Sequence, residues 1–175
     1  MADAGARDNA EPRIGAAAPA AGVHPAGVRD TYGAATMQLQ VSRHTVAWAH
    51  CDVAGIVFYP HFHIWFDQNT ERLFGANRLS YAELKRDFGV GGMPLLETGA
   101  TYRNPCRLGD ALEIRSWVDE WARKTFVVRH EIAHRDGPVA VTGFERRALV
   151  VPAPRSEKGM KALAIPDEIR NRFLD

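Results

Sequence analysis

The sequence predicts an α+β fold in which one long helix packs on an antiparallel sheet. Apolar residues recur at spacings of three and four from about residue 60 to residue 75, as on the buried side of a helix. After Gly92 the apolar pattern changes to a period of two over four long segments, as in strands with one buried face. One early helix followed by consecutive strands is typical of a helix that covers one face of a sheet.

The elements before the sheet begin with a strand predicted at residues 38–48, where the residues alternate between two faces. The long helix follows, and Pro60 suits its first turn because the N–H of that position has no partner inside the helix. Its apolar residues cover much of its circumference, so we expect it to be largely buried. A short second helix is predicted at residues 80–88, with Ser80 and Glu83 forming a capping box.

The sheet is predicted from four further strands, at residues 94–104, 111–121, 124–135 and 139–152. Turns that contain glycine connect them, for example at residues 108–110 and 136–138. Residues 166–173 are predicted to form a terminal helix. Together with the first strand, these segments account for an antiparallel sheet that is large enough to cover the long helix.

Length and charge allow one domain and exclude several functions. The chain has 175 residues and a net charge of +1, so no global field favours nucleic acid or a membrane surface. Its two cysteines are too few for a disulfide framework, and no segment looks like a secretory signal. The longest apolar stretches fall far short of the ~20 residues that cross a bilayer. We therefore predict a cytoplasmic protein that binds neither nucleic acid nor a membrane.

The first 36 residues differ in composition from the rest of the chain. They contain twelve Ala, five Gly and three Pro, and their aliphatic side chains larger than Ala are one Ile and two Val. Such a segment buries too little apolar surface to offset its chain entropy. We predict a disordered tail over residues 1–36 and a single domain over residues 37–175, with Met37 as an alternative start.

A single carboxylate stands where the first strand gives way to the long helix. Residues 51–67 read CDVAGIVFYPHFHIWFD, so Asp52 is followed by Gly55, which suits a turn, and then by the helix. The start of a helix offers unpaired N–H groups and a partial positive charge that hold a developing anion. The arrangement favours acyl transfer by an aspartate and backbone amides, without a metal.

These seventeen residues closely resemble the active-site segment of the 4-hydroxybenzoyl-CoA thioesterase family of hot-dog-fold hydrolases. Asp52, Gly55, Tyr59 and Pro60 stand where that family has them, and a looser likeness extends over residues 39–165. The resemblance implies a hot-dog fold, in which the sheet wraps around the central helix. It also implies hydrolysis of an acyl-CoA substrate without a cofactor, in a homodimer or homotetramer with active sites at the subunit junction.

Two roles are open for Asp52 in the implied reaction. Its carboxylate attacks the thioester carbonyl to give an acyl-enzyme anhydride, or it acts as a general base on water. The resemblance assigns the oxyanion to the backbone N–H of Tyr59, with Gly55 and Ile56 shaping the turn. His50 stands where many members of the family carry a second acid, and we do not assign it a catalytic role.

The resemblance also implies two binding regions. Near the acyl end, Asp67 matches a family position, and Trp65 offers an aromatic wall, although core packing explains it equally well. An aromatic or short acyl group is expected there. Basic side chains are expected to contact the phosphates of coenzyme A, namely Arg123, Lys124, Lys158 and Lys161. Ala122 and Gly159 stand where the best-known members have arginine, so we expect the affinity or pose of CoA to differ.

The run from His130 to His134 spells the HExxH pattern of zinc peptidases, which needs both histidines on one helical face. Its flanks have strand composition, and on a strand the two histidines lie about 13 Å apart at ~3.3 Å per residue. One zinc ion with ligand bonds of ~2.1 Å cannot bind both. We therefore predict no metal site. The chain also lacks a G-x-S-x-G elbow, and Cys51 has no activating neighbour in the sequence.

Three functional classes remain open. The favoured class is an acyl-CoA thioesterase that releases a free acid and CoA. The alternative is a non-catalytic acyl-thioester-binding protein that acts as a sensor. A hot-dog dehydratase is a weaker third choice, because the long helix carries no histidine paired with an acid in the manner of a hydratase. Release of free thiol from a panel of acyl-CoAs distinguishes the first two classes.

Overall fold

The long predicted helix extends over Pro60–Ala76 (α1) in the computed structural model, which describes residues 38–174. The predicted tail, residues 1–36, lies outside the described residues. The other helices are α2 (Tyr81–Phe88) and α3 (Asp167–Asn171). The strands are β1 (Gln40–Thr45), β2 (Leu95–Tyr102), β3 (Ala111–Trp121), β4 (Thr125–His134), β5 (Val139–Ala148), β6 (Val150–Pro152) and β7 (Met160–Ala162).

Five of these strands form one antiparallel sheet in the order β1-β3-β4-β5-β2, and β6 pairs with β7 in a separate ribbon. The prediction of a long helix on an antiparallel sheet is therefore confirmed. Strand β2 lies at one edge of the sheet, and most of its side chains are exposed. None of the helices within residues 38–174 has the length and apolar content needed to cross a membrane.

Two predicted strands end earlier than expected. The predicted strand at residues 139–152 is interrupted at Leu149, because the last β5 residue, Ala148, pairs with Thr125, where β4 begins. Beyond that point the chain has no partner in the main sheet, and Val150 pairs with β7 instead. The first predicted strand, at residues 38–48, ends at Thr45 opposite the start of β3, and Trp48–His50 then forms a short 3-10 turn.

The capping box predicted for α2 is present. Ser80 Oγ accepts from the Glu83 N–H at 3.4 Å, and the Glu83 carboxylate accepts from the Ser80 N–H at 2.9 Å. Gly89 ends the helix with a φ of +65°, which glycine adopts without strain. Local sequence therefore determines both ends of this helix.

The apolar side of helix α1 contributes to two hydrophobic clusters. Its first half packs Phe62, Trp65 and Phe66 against side chains of β3, β4 and β5. Its second half packs Leu73 and Phe74 against α2, α3 and the opposite end of the sheet. Burial of a large apolar side chain contributes about 1.5–3 kcal/mol, so this helix and the sheet stabilise each other.

A layer of buried polar side chains separates the two clusters along α1. Ser42 donates to Asn69 at 2.6 Å, and Thr70 donates to Glu145 at 2.6 Å. Because a misplaced helix would leave these groups without partners, the layer fixes the position of α1 along the sheet.

The HExxH pattern lies on β4, as the strand composition of its flanks predicted. His130 is fully buried, and its Nδ1 lies 2.8 Å from Ser116 Oγ. His134 is partly exposed, and its Nδ1 lies 3.6 Å from the Asp110 carboxylate. The two histidines therefore interact with different partners in different surroundings.

We expect Gly143→Ala to destabilise the protein by about 1–3 kcal/mol, as overpacking does in other cores. A Cβ at this position would overlap the Phe66 ring and lie 3.0 Å from the Gly99 carbonyl oxygen. Thermal unfolding followed by circular dichroism measures the effect. Gly75→Ala is the matched control, because a Cβ there meets nothing within 4 Å and alanine favours a helix. Equal melting temperatures for Gly143→Ala and the wild type would contradict this packing.

Candidate active site

A tight turn presents Asp52 between β1 and α1. The Asp52 N–H donates to the Ile56 carbonyl at 2.9 Å, and the Gly55 N–H donates to the Asp52 carbonyl at 3.0 Å. Gly55 has a φ of +71°, in the left-handed region that costs other residues about 1–2 kcal/mol. Gly55 therefore shapes the turn that carries the carboxylate, as the sequence predicted from its turn pattern.

The Asp52 carboxylate is exposed and has one partner. Its Oδ1 accepts from the Ala54 N–H at 2.8 Å, which holds the side chain against its own turn. Within residues 38–174 no cation pairs with this carboxylate, and Oδ2 accepts no hydrogen bond. One oxygen is thus held and the other is free to react.

The turn closes at Phe58, two residues before α1 begins. The Phe58 N–H donates to the His50 carbonyl at 2.9 Å, so the loop with Asp52 begins and ends next to the helix start. The N–H groups of His61 and Phe62 donate to the Phe58 and Tyr59 carbonyls at 3.0 and 3.1 Å.

The Tyr59 N–H is consequently the free amide of this helix end. Pro60 has no N–H, and within the described chain the Tyr59 N–H donates to no acceptor. The first turn of α1 also holds no acidic side chain, so nothing there offsets the positive end of the helix dipole. The residues predicted as the reacting group and the oxyanion donor therefore belong to one small unit.

Three histidines and Trp65 pack together beside this unit. The ring centroids of His44 and His50 are 5.0 Å apart, and those of His50 and His61 are 5.1 Å apart. Burial lowers the pKa of His44 and of His50, and the neighbouring imidazoles lower both further. The His50 Nδ1 accepts from the Ala47 N–H at 2.9 Å, which leaves the proton of the neutral ring on Nε2.

A second group of hydrogen-bonded side chains surrounds His63 in the first turn of α1. Thr98 donates its hydroxyl to the Phe144 carbonyl at 2.9 Å, so its oxygen accepts from His63 Nδ1 at 3.1 Å. The neutral His63 then has its lone pair on Nε2, which lies 3.4 Å from the Tyr102 hydroxyl. These hydrogen bonds could not be predicted from the sequence, because they depend on the contact between α1 and β2.

The two residues predicted at the acyl end differ in their exposure and their partners. Asp67 has an exposed side chain, and its Oδ1 accepts a short hydrogen bond from Arg147 Nη2. Trp65 is 4% exposed and packs in the core with Phe62 and His44. Sequence reasoning missed Arg147, which lies 80 residues from Asp67 along the chain.

The four basic residues predicted for CoA are exposed and make no ion pair within residues 38–174. Arg123 and Lys124 form the β3–β4 turn, Lys161 lies in β7, and Lys158 lies in the turn before it. The Ile165 N–H donates to the Arg123 carbonyl at 2.8 Å, so the segment after β7 returns to this turn.

The two predicted halves of the site lie at opposite ends of β3. The Asp52 turn pairs through Ile56 with Arg107, just before the end of β3 where Thr45 pairs with Ala111. Arg123 follows Trp121 at the other end of β3. Ten residue steps at ~3.3 Å separate these ends by about 33 Å along the strand. Within one chain, the structure brings Asp52, Gly55 and Tyr59 together but keeps them far from Arg123 and Lys124.

Comparison with known proteins shows which family the chain belongs to. Residues 46–173 match the family model described as the thioesterase-like superfamily. The chain belongs to that superfamily. A curated relative, 4-hydroxybenzoyl-CoA thioesterase from Pseudomonas sp. strain CBS-3, is 30% identical over 89 residues, which are 50% of this chain and 63% of the relative. The matched region thus spans less than two thirds of that relative.

Solved structures of the superfamily have the same fold. The structure of the Pseudomonas 4-hydroxybenzoyl-CoA thioesterase has a TM-score of 0.69 and 24% identity, covering 77% of this chain and 98% of that chain. A gentisyl-coenzyme A thioesterase has a TM-score of 0.62 and 27% identity, covering 76% of this chain and 98% of that chain. The predicted hot-dog fold and the resemblance seen in residues 51–67 are both confirmed.

We expect the free energy of unfolding to decrease as the pH falls below about 6.5. The pKa values of His44, His50 and His130 are lowered from 6.5, chiefly by burial, so the unfolded chain binds their protons more tightly. Their contribution is complete above that pH and is lost as the pH falls through the lowered values. Guanidinium unfolding between about pH 8 and pH 5 measures it. His44→Asn should weaken the dependence, and an unchanged slope would contradict its assignment.

Proposed function

We propose that this member of the thioesterase-like superfamily hydrolyses an aromatic or short-chain acyl-CoA to the free acid and CoA. The observation that carries the proposal is the exposed Asp52 carboxylate, held on a turn that closes at the free Tyr59 N–H. A nucleophile or base and an oxyanion donor are the two elements that acyl transfer requires. Both come from one continuous segment of the chain.

Two reaction courses fit this unit. In one, the free Asp52 oxygen attacks the thioester carbon, the C–S bond breaks to release the CoA thiolate, and water then opens the mixed anhydride. In the other, the carboxylate takes a proton from water, the resulting hydroxide attacks the same carbon, and the thiolate leaves. In both courses the carbonyl oxygen becomes an oxyanion. The Tyr59 N–H would stabilise it, and one such donor typically contributes about 3–4 kcal/mol.

The acyl group would lie towards the middle of α1, near Asp67. The two relatives named above act, by their names, on hydroxybenzoyl and gentisyl thioesters, which supports an aromatic acyl group for this chain. Trp65 would support this region from the core, since its ring is buried behind the helix surface. Phe58 and Tyr59, which are exposed and directly precede α1, also lie beside the reacting unit.

Two copies of the chain would be needed to complete the site. The phosphates of CoA are proposed to bind at Arg123, Lys124, Lys158 and Lys161. Arg123 and Lys124 follow the end of β3 that lies about 33 Å from the Asp52 end, so a second subunit is proposed to bring the cations nearer to the reacting unit. The exposed edge strand β2 leaves hydrogen-bonding groups free for pairing with its counterpart. We therefore propose a homodimer, or a homotetramer built from such dimers.

The remaining parts of the proposal concern the chain as a whole. We propose a cytoplasmic protein that uses no cofactor or metal and binds neither nucleic acid nor a membrane. Its catalytic domain would comprise residues 37–175, preceded by a tail of residues 1–36.

We expect Asp52→Asn to lower kcat for acyl-CoA hydrolysis by about 10²–10⁴-fold, because the amide is neither a base nor a nucleophile. Release of free thiol from benzoyl, hydroxybenzoyl, phenylacetyl and short aliphatic CoA esters measures it. Asp87→Asn is the matched control, since this exposed aspartate lies in α2, which packs in the cluster at the other end of α1. Near wild-type turnover by Asp52→Asn would refute the assignment. Binding of acyl-CoA by the wild type without thiol release would support the sensor instead.

We expect Lys124→Ala to raise the KM for acyl-CoA about fivefold at constant kcat. A partly exposed ion pair with a phosphate contributes up to about 1 kcal/mol, and 1.4 kcal/mol corresponds to a tenfold change. The effect should shrink as salt screens the charges. Lys85→Ala, an exposed lysine on α2, is the control. An unchanged KM at low salt would remove Lys124 from the proposed CoA site.

A further inference from the structure

We infer that Arg147, anchored by Glu145, is a positioning residue that fixes the Asp67 carboxylate for contact with the acyl group. The inference rests on the proposed function, because it assigns the specificity of the same site. It is carried by the hydrogen bonds of one buried guanidinium, which joins β5 to the exposed face of α1.

Four of the five N–H groups of Arg147 have partners. Nε donates to Glu145 Oε2 at 3.1 Å, and Nη2 donates to Glu145 Oε1 at 2.8 Å. Nη1 donates to the Met93 carbonyl at 3.0 Å. The second N–H of Nη2 donates to Asp67 Oδ1. A planar group held at three corners cannot rotate, so the direction of the bond to Asp67 is fixed.

The side chains of this network become more exposed from Glu145 and Arg147 to Asp67. The side chain of Arg147 is 5% exposed and that of Glu145 is 2% exposed, whereas that of Asp67 is 63% exposed. Asp67 is therefore the point at which a buried ion pair reaches the surface. Its Oδ2 accepts no hydrogen bond within residues 38–174, so one carboxylate oxygen is held and the other faces outward.

Glu145 is itself fixed from several elements. Thr70 of α1 donates to Oε2 at 2.6 Å, and His130 Nε2 of β4 lies 3.5 Å from the same oxygen, at the long limit for a hydrogen bond. Phe66 stacks on the His130 ring at 4.5 Å between centroids. The network thus ties Arg147 to the helix that carries Asp67, one turn away from Thr70.

The bond to Asp67 exceeds what a structural ion pair requires. Glu145 and the Met93 carbonyl already satisfy three N–H groups of Arg147, and the fourth is directed to a side chain that solvent would otherwise satisfy. An exposed carboxylate alone samples many rotamers, and ordering it costs free energy when a ligand binds. Arg147 already orders the Asp67 carboxylate in the folded protein, so ligand binding does not have to order it.

Tyr81 lies within reach of the same groups at the start of α2. Burial raises its pKa, the charge of Arg147 opposes that shift, and the charge of Asp67 adds to it. Tyr81 is half-exposed, as is expected of a side chain at the edge of this buried network.

The test is a double-mutant cycle on the aromatic acyl-CoA that the wild type hydrolyses best. Arg147→Lys keeps the charge and loses the planar fork, and Asp67→Asn keeps the shape and loses the charge. We expect each change to lower kcat/KM about tenfold, and the double variant to be no worse than the poorer single variant. Arg146→Lys is the matched control, because Arg146 lies next to Arg147 and pairs with Glu97 instead.

Each result has a distinct meaning. If the two losses multiply, Arg147 does not act through Asp67 and the inference is wrong. If Asp67→Asn changes no kcat/KM while Asp52→Asn abolishes turnover, the inference fails and the proposed function stands. If the wild type releases no thiol from any ester, both fail.

A second variant covers the case in which Arg147→Lys does not fold, as judged by its melting temperature. Asp67→Glu changes an exposed side chain, keeps the charge and moves the carboxylate outward by one methylene. Positioning predicts a loss like that of Asp67→Asn, and kcat/KM near the wild-type value would overturn it.

Discussion

The buried charge of Glu145 is the constraint on which the rest of the structure depends. Burial raises the pKa of this carboxyl, but the hydrogen bonds from Arg147 and Thr70, together with the neighbouring His130 ring, outweigh it and lower the pKa to about 2. An ionised carboxylate in a core is stable only if donors surround it, and removing one leaves an uncompensated charge. Its donors come from α1 and from β5, so the charge holds α1 at one position on the sheet.

Local features of the fold could be predicted from the sequence, and non-local ones could not. The limits of α1 and the capping box of α2 depend on neighbours within four residues, which the sequence displays. The interruption at Leu149 depends on where β4 begins, a property of a different strand. The buried network joins residues such as Thr70 and Glu145, which are 75 positions apart, and no periodicity reveals such a pair.

The same distinction applies to the site. Asp52, Gly55 and Tyr59 could be predicted because they lie in one short segment whose turn and helix start are encoded locally. This unit and Arg123 were predicted to belong to one site. They lie at opposite ends of β3, which follows from the course of that strand through the sheet and cannot be seen in the sequence. The bond from Arg147 to Asp67 could not be predicted either, because it also joins residues that are far apart in the sequence.

Two aspartates of the site region are held in contrasting ways, and the contrast matches their proposed tasks. Asp52 is bonded to one backbone N–H and to no cation within the described chain, so one of its oxygens has no partner there. Asp67 is bonded to a guanidinium that is itself held by three other hydrogen bonds, which fixes the direction of the carboxylate. A carboxylate that must attack or take a proton needs the first arrangement. One that must recognise a group in a fixed place needs the second, and the chain provides each where the corresponding task is proposed.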